Sequence, residues 1–380
     1  MKVAIIGQGY VGSSLGLMAH SSGHKVVGVE LNLERIERIR HECPYILSNS
    51  FQVVSECDII ILALPTPLTE DGLPNLTYLI EACQKVRNYA KPGTMIVNES
   101  TSHPGTLRNI VKKYMGDQFS YAVAPERIDP GNTEWNIGNT PRLLGVLDES
   151  DYAIAFDFYS TICKEVVRVS SAEVAELAKL LENTFRMINI ALVNEISKFA
   201  SKIGISITEV IQAASTKPFG YMPFFPSAGV GGHCIPVDPV YLSHEAKANG
   251  SETKLIDCAR AINESMPEFV VEEIRRCLGG EVCGKLIQIS GIAYKPDVSD
   301  TRESAALAVL KLLRKKGADV IWHDDVVGNW NSETSKPIQR VDLGVIAVQH
   351  SGVDLSPWEK MSEKVIDVSS AKTSKWRKFP

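Results

Sequence analysis

The sequence predicts an α/β protein in which two parallel-sheet domains are joined by a central helical domain with a long linker helix. Short β-branched segments alternate with helical segments over residues 1–170, as in parallel sheets covered by helices on both faces. Helical periodicity without proline then fills residues 171–214, and the alternation resumes after residue 276. The predicted domains are therefore 1–170, 171–276 and 277–380.

Individual elements follow from β-branched runs and from apolar spacing. The predicted strands of the first domain are Val3–Ile6, Val26–Val29, Asp58–Leu64, Met95–Val97, Tyr121–Ala124, Leu143–Leu147 and Val166–Val169. A second helix is predicted after Gly204, then a loop at Lys217–Pro239 and more helix to about Arg276. The predicted strands of the last domain are Leu286–Ile289, Val320–Trp322, Leu343–Val348 and Val365–Val368.

Composition argues against several classes of protein. With 44% hydrophobic residues and a net charge of -5, the chain of 380 residues is predicted to be globular and not to bind nucleic acid. No apolar run approaches the roughly 18 residues of a membrane span, so we expect a cytoplasmic protein without membrane association. The eight cysteines form no C-x-x-C pair, so reduced thiols are expected and no metal site is predicted.

A glycine motif follows the first predicted strand directly. Gly7-x-Gly9-x-x-Gly12 opens a helix, and Glu30 ends the second strand 18 residues later. This context is typical of a Rossmann-like dinucleotide site, and an acidic residue at that spacing favours NAD over NADP. Packing glycines and a surface carboxylate are the alternative. The expected cofactor-binding residues here are Gly7, Gly9, Tyr10, Val11, Gly12, Glu30 and Arg35.

A second motif contains an isolated cysteine. Gly229, Gly231 and Gly232 precede Cys234, which we expect at the start of a helix, where backbone N–H groups favour the thiolate. Asp238 follows one helical turn later, so both side chains could face one cavity. Taken alone, a cysteine in a loop is more often inert.

Further motifs occur in order along the chain. They are Pro125-Glu126-Arg127, the pair Lys179 and Asn183, the cysteine loop with Asp238, and Gly291–Asp297 followed by Asp300–Ser304. Together they resemble the UDP-glucose/GDP-mannose dehydrogenase family over nearly the whole chain. The resemblance implies that both sheet domains are Rossmann-like and that the last one binds UDP.

The resemblance also implies an activity. It is the NAD-dependent, four-electron oxidation of the C6 alcohol of a UDP-sugar to the acid, through a thioester on a cysteine. The implied catalytic residues are Cys234, Lys179, Asn183, Asp238, Glu126 and Thr101. Further cofactor contacts are expected from Pro65, Thr66, Thr101 and Arg302, and substrate contacts from Glu126, Arg127, Lys179, Asn183, Phe225, Gly229, Gly231, Tyr294 and Lys295.

The substrate is predicted from finer resemblance. Residues 126–132 and 232–238 resemble UDP-N-acetylglucosamine 6-dehydrogenases, which makes UDP-N-acetylglucosamine the best prediction. The same reaction on UDP-N-acetylmannosamine, UDP-N-acetylgalactosamine or UDP-glucose stays open. Lys217 and Ser369 depart from the pattern, because family members commonly carry arginines in these two places.

Two functions from other classes compete with this one. A two-electron dehydrogenase of the hydroxyacid type would need no thiol, so Cys234 argues against it. An inactive nucleotide-sugar binder would not need the catalytic set.

The linker helix carries an apolar series. Its members are Leu177, Leu181, Phe185, Ile188 and Leu192. With the family resemblance, this series predicts a homodimer, whereas packing within one subunit is the alternative. The resemblance further implies a role in polysaccharide biosynthesis.

Overall fold

The structure, a computed structural model, describes residues 1–129, 131–132, 134–361, 364–371 and 376–378. The chain divides into two compact units, the first formed by residues 1–182 and 240–251 and the second by residues 183–239 and those from 252 onward. None of the described helices combines the length and the apolar character needed to cross a membrane.

An eight-stranded sheet forms the centre of the first unit. Its strands are β1 (Lys2–Ile6), β2 (Lys25–Val29), β3 (Ile46–Ser48), β4 (Ile59–Leu62), β5 (Met95–Asn98), β6 (Ser120–Val123), β7 (Arg142–Val146) and β8 (Val166–Arg168), in the order β3-β2-β1-β4-β5-β6-β7-β8. All seven predicted strands are confirmed, and β3 is an eighth that the pattern did not indicate. Strands β1 and β4 are apolar on both faces because helices cover both sides of the sheet.

The predicted parallel arrangement is confirmed for β1 to β6, but not beyond. Strand β7 runs antiparallel to β6 and parallel to β8. The described residues between β6 and β7 contain no helix. Parallel neighbours need a long crossover connection, whereas antiparallel neighbours do not. The reversal brings the first residue of β7, Arg142, to the edge where β6 ends.

Helices accompany this sheet and form the middle of the chain. They are α1 (Tyr10–Ser21), α2 (Leu33–Ile39), α3 (Thr77–Arg87), α4 (Lys112–Met115), α5 (Tyr152–Ile162), α6 (Ala172–Ile203), α7 (Ile207–Ala214), α8 (Asp238–Ala248), α9 (Lys254–Glu264) and α10 (Met266–Cys277). The long linker helix is thereby confirmed as α6, with a second helix, α7, after Gly204. Ser206 begins α7 by accepting a hydrogen bond from the Glu209 N–H.

A smaller parallel sheet forms the second unit's α/β part. It has the order β10-β9-β13-β14-β15, from β9 (Leu286–Ser290), β10 (Asp319–His323), β13 (Leu343–Ile346), β14 (Val365–Asp367) and β15 (Arg377–Lys378). Helices α11 (Ala305–Lys315) and α12 (Ser356–Met361) and a hairpin of β11 (Asn329–Trp330) and β12 (Glu333–Thr334) complete it. The four predicted strands are confirmed, and α10 and α11 pack on its core.

Candidate active site

The three motif glycines form the turn between β1 and α1. Gly7 has a φ of 91°, and a side chain there would also lie 2.4 Å from the Ala63 carbonyl oxygen. At Gly12 a Cβ would lie 1.9 Å from the Gly7 carbonyl oxygen, so helix and strand require glycine to pack this closely. A Cβ at Gly9 would meet nothing within 4 Å. The open space at Gly9 suits the close approach of a ligand, while Tyr10 (53% exposed) and Val11 begin the helix beside it.

Two further predicted cofactor residues meet at this turn. Glu30, which follows β2, accepts hydrogen bonds from the Gln8 N–H at 3.1 Å and from the Asn32 N–H at 3.0 Å. The Arg35 Nε donates to the Gln8 carbonyl oxygen at 2.5 Å. The structure therefore brings Glu30 and Arg35 to the glycine turn from two different elements.

Hydrogen bonds of Ser100 connect the turns after β4 and β5. Ser100 Oγ donates to the Leu62 carbonyl at 3.1 Å and accepts from the Leu64 N–H at 2.9 Å. Pro65, which is exposed, and Thr66, which is buried, continue the first turn, and Thr101 continues the second. Both turns thus lie at the carboxyl edge of the sheet, where α/β proteins bind their ligands.

A buried ion cluster holds Glu126 beyond the end of β6. One carboxylate oxygen of Glu126 accepts from the Arg127 and Ile128 N–H groups, each at 2.6 Å, and the other pairs with Arg142 at 2.8 Å. Arg142 also lies 3.3 Å from Glu99, whose other oxygen accepts from the Tyr159 hydroxyl at 2.5 Å. Burial raises the pKa of the Glu99 carboxyl, and the Arg142 guanidinium opposes that shift. One guanidinium therefore compensates two buried carboxylates.

Arg127 and Lys179 lie in the same unit as Glu126. The Arg127 guanidinium pairs with Glu182 of α6 at 2.7 Å and donates to the Pro141 carbonyl at 2.8 Å. Its contacts are therefore to the protein itself. Lys179, also on α6, is buried at 8% exposure.

The cysteine loop lies in the second unit, and the expectation that Cys234 opens a helix is wrong. Helix α8 begins at Asp238, and Cys234 stands in the turn before it, where its carbonyl accepts the Asp238 N–H at 2.8 Å. Proline at position 236 removes a backbone donor in this turn. Cys234 is exposed, whereas the Asp238 carboxylate is buried and accepts a hydrogen bond from Asn183 Nδ2 at 2.5 Å. The structure thus joins two predicted catalytic residues, Asn183 and Asp238, one turn from the thiol.

The glycines of this loop pack against the 291–297 segment, which follows β9. A Cβ at Gly232 would lie 2.7 Å from the Tyr294 ring, and one at Gly231 would lie 2.7 Å from the Glu303 carbonyl. The Gly232 N–H donates to the Arg302 carbonyl at 3.1 Å, while the Arg302 guanidinium pairs with Asp300. The predicted residues Tyr294 and Arg302 are therefore brought to the cysteine loop.

A cavity of about 300 Å³ adjoins the loop. Its lining comes from the loop before the cysteine, the ends of β9, β13 and β14 and the start of α11; it includes Gly229, Gly231, Tyr294, Pro296 and Ser369 and no charged residue. Ser369, one of the two positions predicted to depart from the family pattern, donates its hydroxyl to Asp367 at 2.6 Å. Lys217 lies over the Phe219 ring, and Phe225 packs on the cluster around Ile207. The described residues that line this cavity include no lysine or arginine.

Family models match the chain in three consecutive parts. The NAD binding domain of the UDP-glucose/GDP-mannose dehydrogenase family matches residues 1–52 and 46–163, its central domain 173–265, and its UDP binding domain 288–373. The chain belongs to the UDP-glucose/GDP-mannose dehydrogenase family. It is an NAD-dependent oxidoreductase that acts on an alcohol group of a UDP-sugar.

Several relatives of this dehydrogenase family are similar over most of their length. UDP-N-acetyl-D-mannosamine dehydrogenase of Methanocaldococcus jannaschii is 35% identical, covering 92% of this chain and 86% of that protein. UDP-N-acetyl-D-glucosamine 6-dehydrogenase of Pseudomonas aeruginosa is 30% identical, covering 87% and 83%. The solved structure of UDP-D-ManNAc dehydrogenase from Pyrococcus horikoshii has a TM-score of 0.86 at 28% identity, covering 100% and 99%.

The glycine turn of this family member fits NAD. Gly9 leaves room for a pyrophosphate at the start of α1, and the carboxylate of Glu30 is placed to accept hydrogen bonds from a ribose. Gly7, Gly12 and Arg35 shape the same turn. We therefore expect this surface to hold the cofactor.

Replacing Glu30 with glutamine tests this site. We expect the variant to bind NADH about 10-fold more weakly, because a charged hydrogen-bond acceptor is lost, and to discriminate less against NADPH. Fluorescence titration of both cofactors measures the two dissociation constants. Glu34→Gln, at the exposed start of α2, is the matched control. If the ratio of the two constants is unchanged, Glu30 does not select the cofactor.

Proposed function

We propose that the protein oxidises C6 of an N-acetylated UDP-hexosamine to the carboxylate in a four-electron reaction through a thioester on Cys234. The observation that carries the proposal is the exposed thiol one turn before the buried Asn183–Asp238 pair. A two-electron dehydrogenase or a nucleotide-sugar binder would not need such a thiol. The uronic acid product suits the synthesis of polysaccharide precursors.

The reaction needs two oxidations at one carbon. Bound NAD supplies the hydride acceptor, so two molecules are consumed for each sugar. In the proposed sequence the alcohol becomes an aldehyde, and the Cys234 thiolate adds to its carbon to form a thiohemiacetal. A second hydride loss gives the thioester. Water then breaks the C–S bond, which releases the carboxylate and returns the thiol.

The other residues have proposed roles that follow from their chemistry. Lys179 and Asn183 lie four residues apart on α6 and would stabilise negative charge that develops on the C6 oxygen. Asp238 orients the Asn183 amide through their hydrogen bond. Glu126, with Thr101, would position and deprotonate the water that hydrolyses the thioester.

We further propose which epimer of the UDP-hexosamine serves as substrate. Residues 126–132 and 232–238 favour UDP-N-acetylglucosamine, while the name of the 35% identical relative favours UDP-N-acetylmannosamine as the second candidate. The test is to incubate the protein with NAD and one UDP-sugar at a time: UDP-N-acetylglucosamine, UDP-N-acetylmannosamine, UDP-N-acetylgalactosamine or UDP-glucose. The NADH formed per sugar consumed is measured for each. We expect about two NADH for one N-acetylated substrate. One NADH per sugar would contradict the thioester route, and exclusive use of UDP-glucose would contradict the N-acetyl preference.

We also propose that the protein is a homodimer through α6. Leu177, Leu181, Phe185 and Leu192 are between 43% and 60% exposed and recur at helical spacing, whereas Ile188 packs within the chain. A continuous apolar stripe of this kind fits the same stripe on a second copy, because a two-fold interface is self-complementary.

A charge in the middle of the stripe should separate the subunits. Leu181→Glu is expected to convert a dimer of twice 41.7 kDa into a monomer of 41.7 kDa, because a buried unpaired carboxylate opposes association. Light scattering at micromolar concentration measures the mass. Leu255→Glu, on α9 at 66% exposure, is the control and should leave the dimer intact. A monomeric wild-type protein would refute the proposal.

A further inference from the structure

Two buried side chains form hydrogen bonds with the ends of the 291–297 segment, and each of them follows another strand of the sheet. The Asp324 carboxylate, after β10, accepts hydrogen bonds from the Ile292 N–H at 2.8 Å and the Ala293 N–H at 3.2 Å. His350, after β13, accepts the Asp297 N–H on its Nδ1 at 2.9 Å. The segment is therefore held where it begins and where it ends.

His350 and Asp324 also form a hydrogen bond with each other. His350 Nε2 lies 3.0 Å from Asp324 Oδ2, and both side chains are at most 1% exposed. Because Nδ1 accepts a hydrogen bond, the ring proton is on Nε2, which donates to Asp324. The other Asp324 oxygen accepts from the Val326 and Val327 N–H groups, which fixes the carboxylate in turn. The neutral histidine thus connects the two ends of the segment through a rigid acceptor.

The C-terminal end of the segment has an unusual backbone conformation that hydrogen bonds support. Asp297 has a φ of 61°, in the left-handed region, which aspartate adopts at a smaller cost than most residues when its carboxylate is hydrogen-bonded locally. Its carboxylate accepts from the Ser351 N–H and hydroxyl, each at 2.7 Å, so the residue after His350 supports the same turn. The Asp297 N–H and carboxylate are therefore both held by the 350–351 turn.

Between these two ends lie residues that line the cavity beside the cysteine loop. Tyr294 and Pro296 line the 300 Å³ cavity, and the Tyr294 ring packs on Gly232 of the cysteine loop. A shift of the segment would therefore change the cavity and the surface that supports the loop. The glycine turn that fits NAD has no residue in this segment.

We propose that His350, with Asp324, is a positioning residue that fixes the 291–297 segment for binding of the UDP-sugar. It does not itself line the cavity. The inference rests on the proposed function, since the segment matters for the reaction only if a UDP-sugar is the ligand. Its effect falls on affinity for the nucleotide sugar and not on affinity for NAD.

Two amide substitutions distinguish the hydrogen bond at Nδ1 of His350 from the hydrogen bond at Nε2. His350→Asn keeps an acceptor near the position of Nδ1 and loses the donor to Asp324, whereas His350→Gln does the reverse. We expect calorimetry to show UDP binding weakened about 10-fold in His350→Gln, with a smaller loss in His350→Asn, because only asparagine still holds Asp297. The KM for the UDP-sugar should rise in the same order, with the KM for NAD unchanged.

His24→Gln is the matched control, because His24 is also a buried histidine, but its ring lies 2.7 Å from the Thr161 hydroxyl in the first unit and forms no hydrogen bond with the segment. Unchanged UDP affinity in both folded His350 variants would overturn the inference. Equal losses of UDP and NAD affinity, with a lowered Tm, would also overturn it, because they indicate a general structural role. If wild-type protein binds UDP but oxidises no UDP-sugar, the proposed function fails while the UDP affinities still decide the role of His350.

Discussion

Serine in place of Cys234 is expected to lower the rate of acid formation by about 10³-fold or more. A hydroxyl at this position is a much weaker nucleophile than a thiolate, so the aldehyde is not captured and the second oxidation has no covalent substrate. The substitution changes a single atom of an exposed side chain. Affinities for NADH and UDP should therefore stay near their wild-type values.

Mass spectrometry of the intact protein gives a second measurement. Wild-type enzyme, quenched during turnover, should carry a sugar adduct on Cys234, and Cys234→Ser should carry none. Cys258→Ser changes another exposed cysteine and should keep full activity. Activity of Cys234→Ser close to wild type, with two NADH formed per sugar, would exclude the thioester mechanism.

The sequence predicted those parts of the site that local pattern determines. Gly7, Gly9 and Gly12 have separate physical reasons that all act within one strand-to-helix turn, so their spacing, together with the strand before them and Glu30 after them, indicated the fold around them. The spacing of Lys179 and Asn183 likewise required only a helix. The cysteine turn was predicted less well, since the helix begins at Asp238 and not at Cys234.

Contacts between distant parts of the chain could not be predicted in this way. Arg142 and His350 belong to no local sequence motif. Arg142 pairs with Glu126, 16 residues away, and His350 with Asp324, 26 residues away. One signal was available for Arg142. The stretch between β6 and β7 has no helical periodicity, which favours an antiparallel return that brings the start of β7 beside the end of β6.

The cluster around Arg142 gives the second large expected effect. Arg142 is 3% exposed and lies between the carboxylates of Glu99 and Glu126. Arg142→Met would leave both carboxylates buried without their cation, and breaking a buried pair in this way costs about 3 to 5 kcal/mol of unfolding free energy. Denaturant unfolding measures this loss. Arg168→Lys, in an exposed pair with Glu149, should change it little.

A milder substitution separates stability from catalysis. Arg142→Lys keeps the positive charge, but one ammonium lacks the planar fork that reaches both Glu99 and Glu126. We expect kcat to fall about 10-fold with the KM for NAD unchanged, because Glu126 loses the bond that orients it toward the hydrolytic water. Rapid quenching should show the Cys234 adduct accumulating, since hydrolysis of the thioester is the step that slows. If kcat falls without this accumulation, Glu126 does not act in hydrolysis, and an unchanged kcat would show that its orientation does not depend on Arg142.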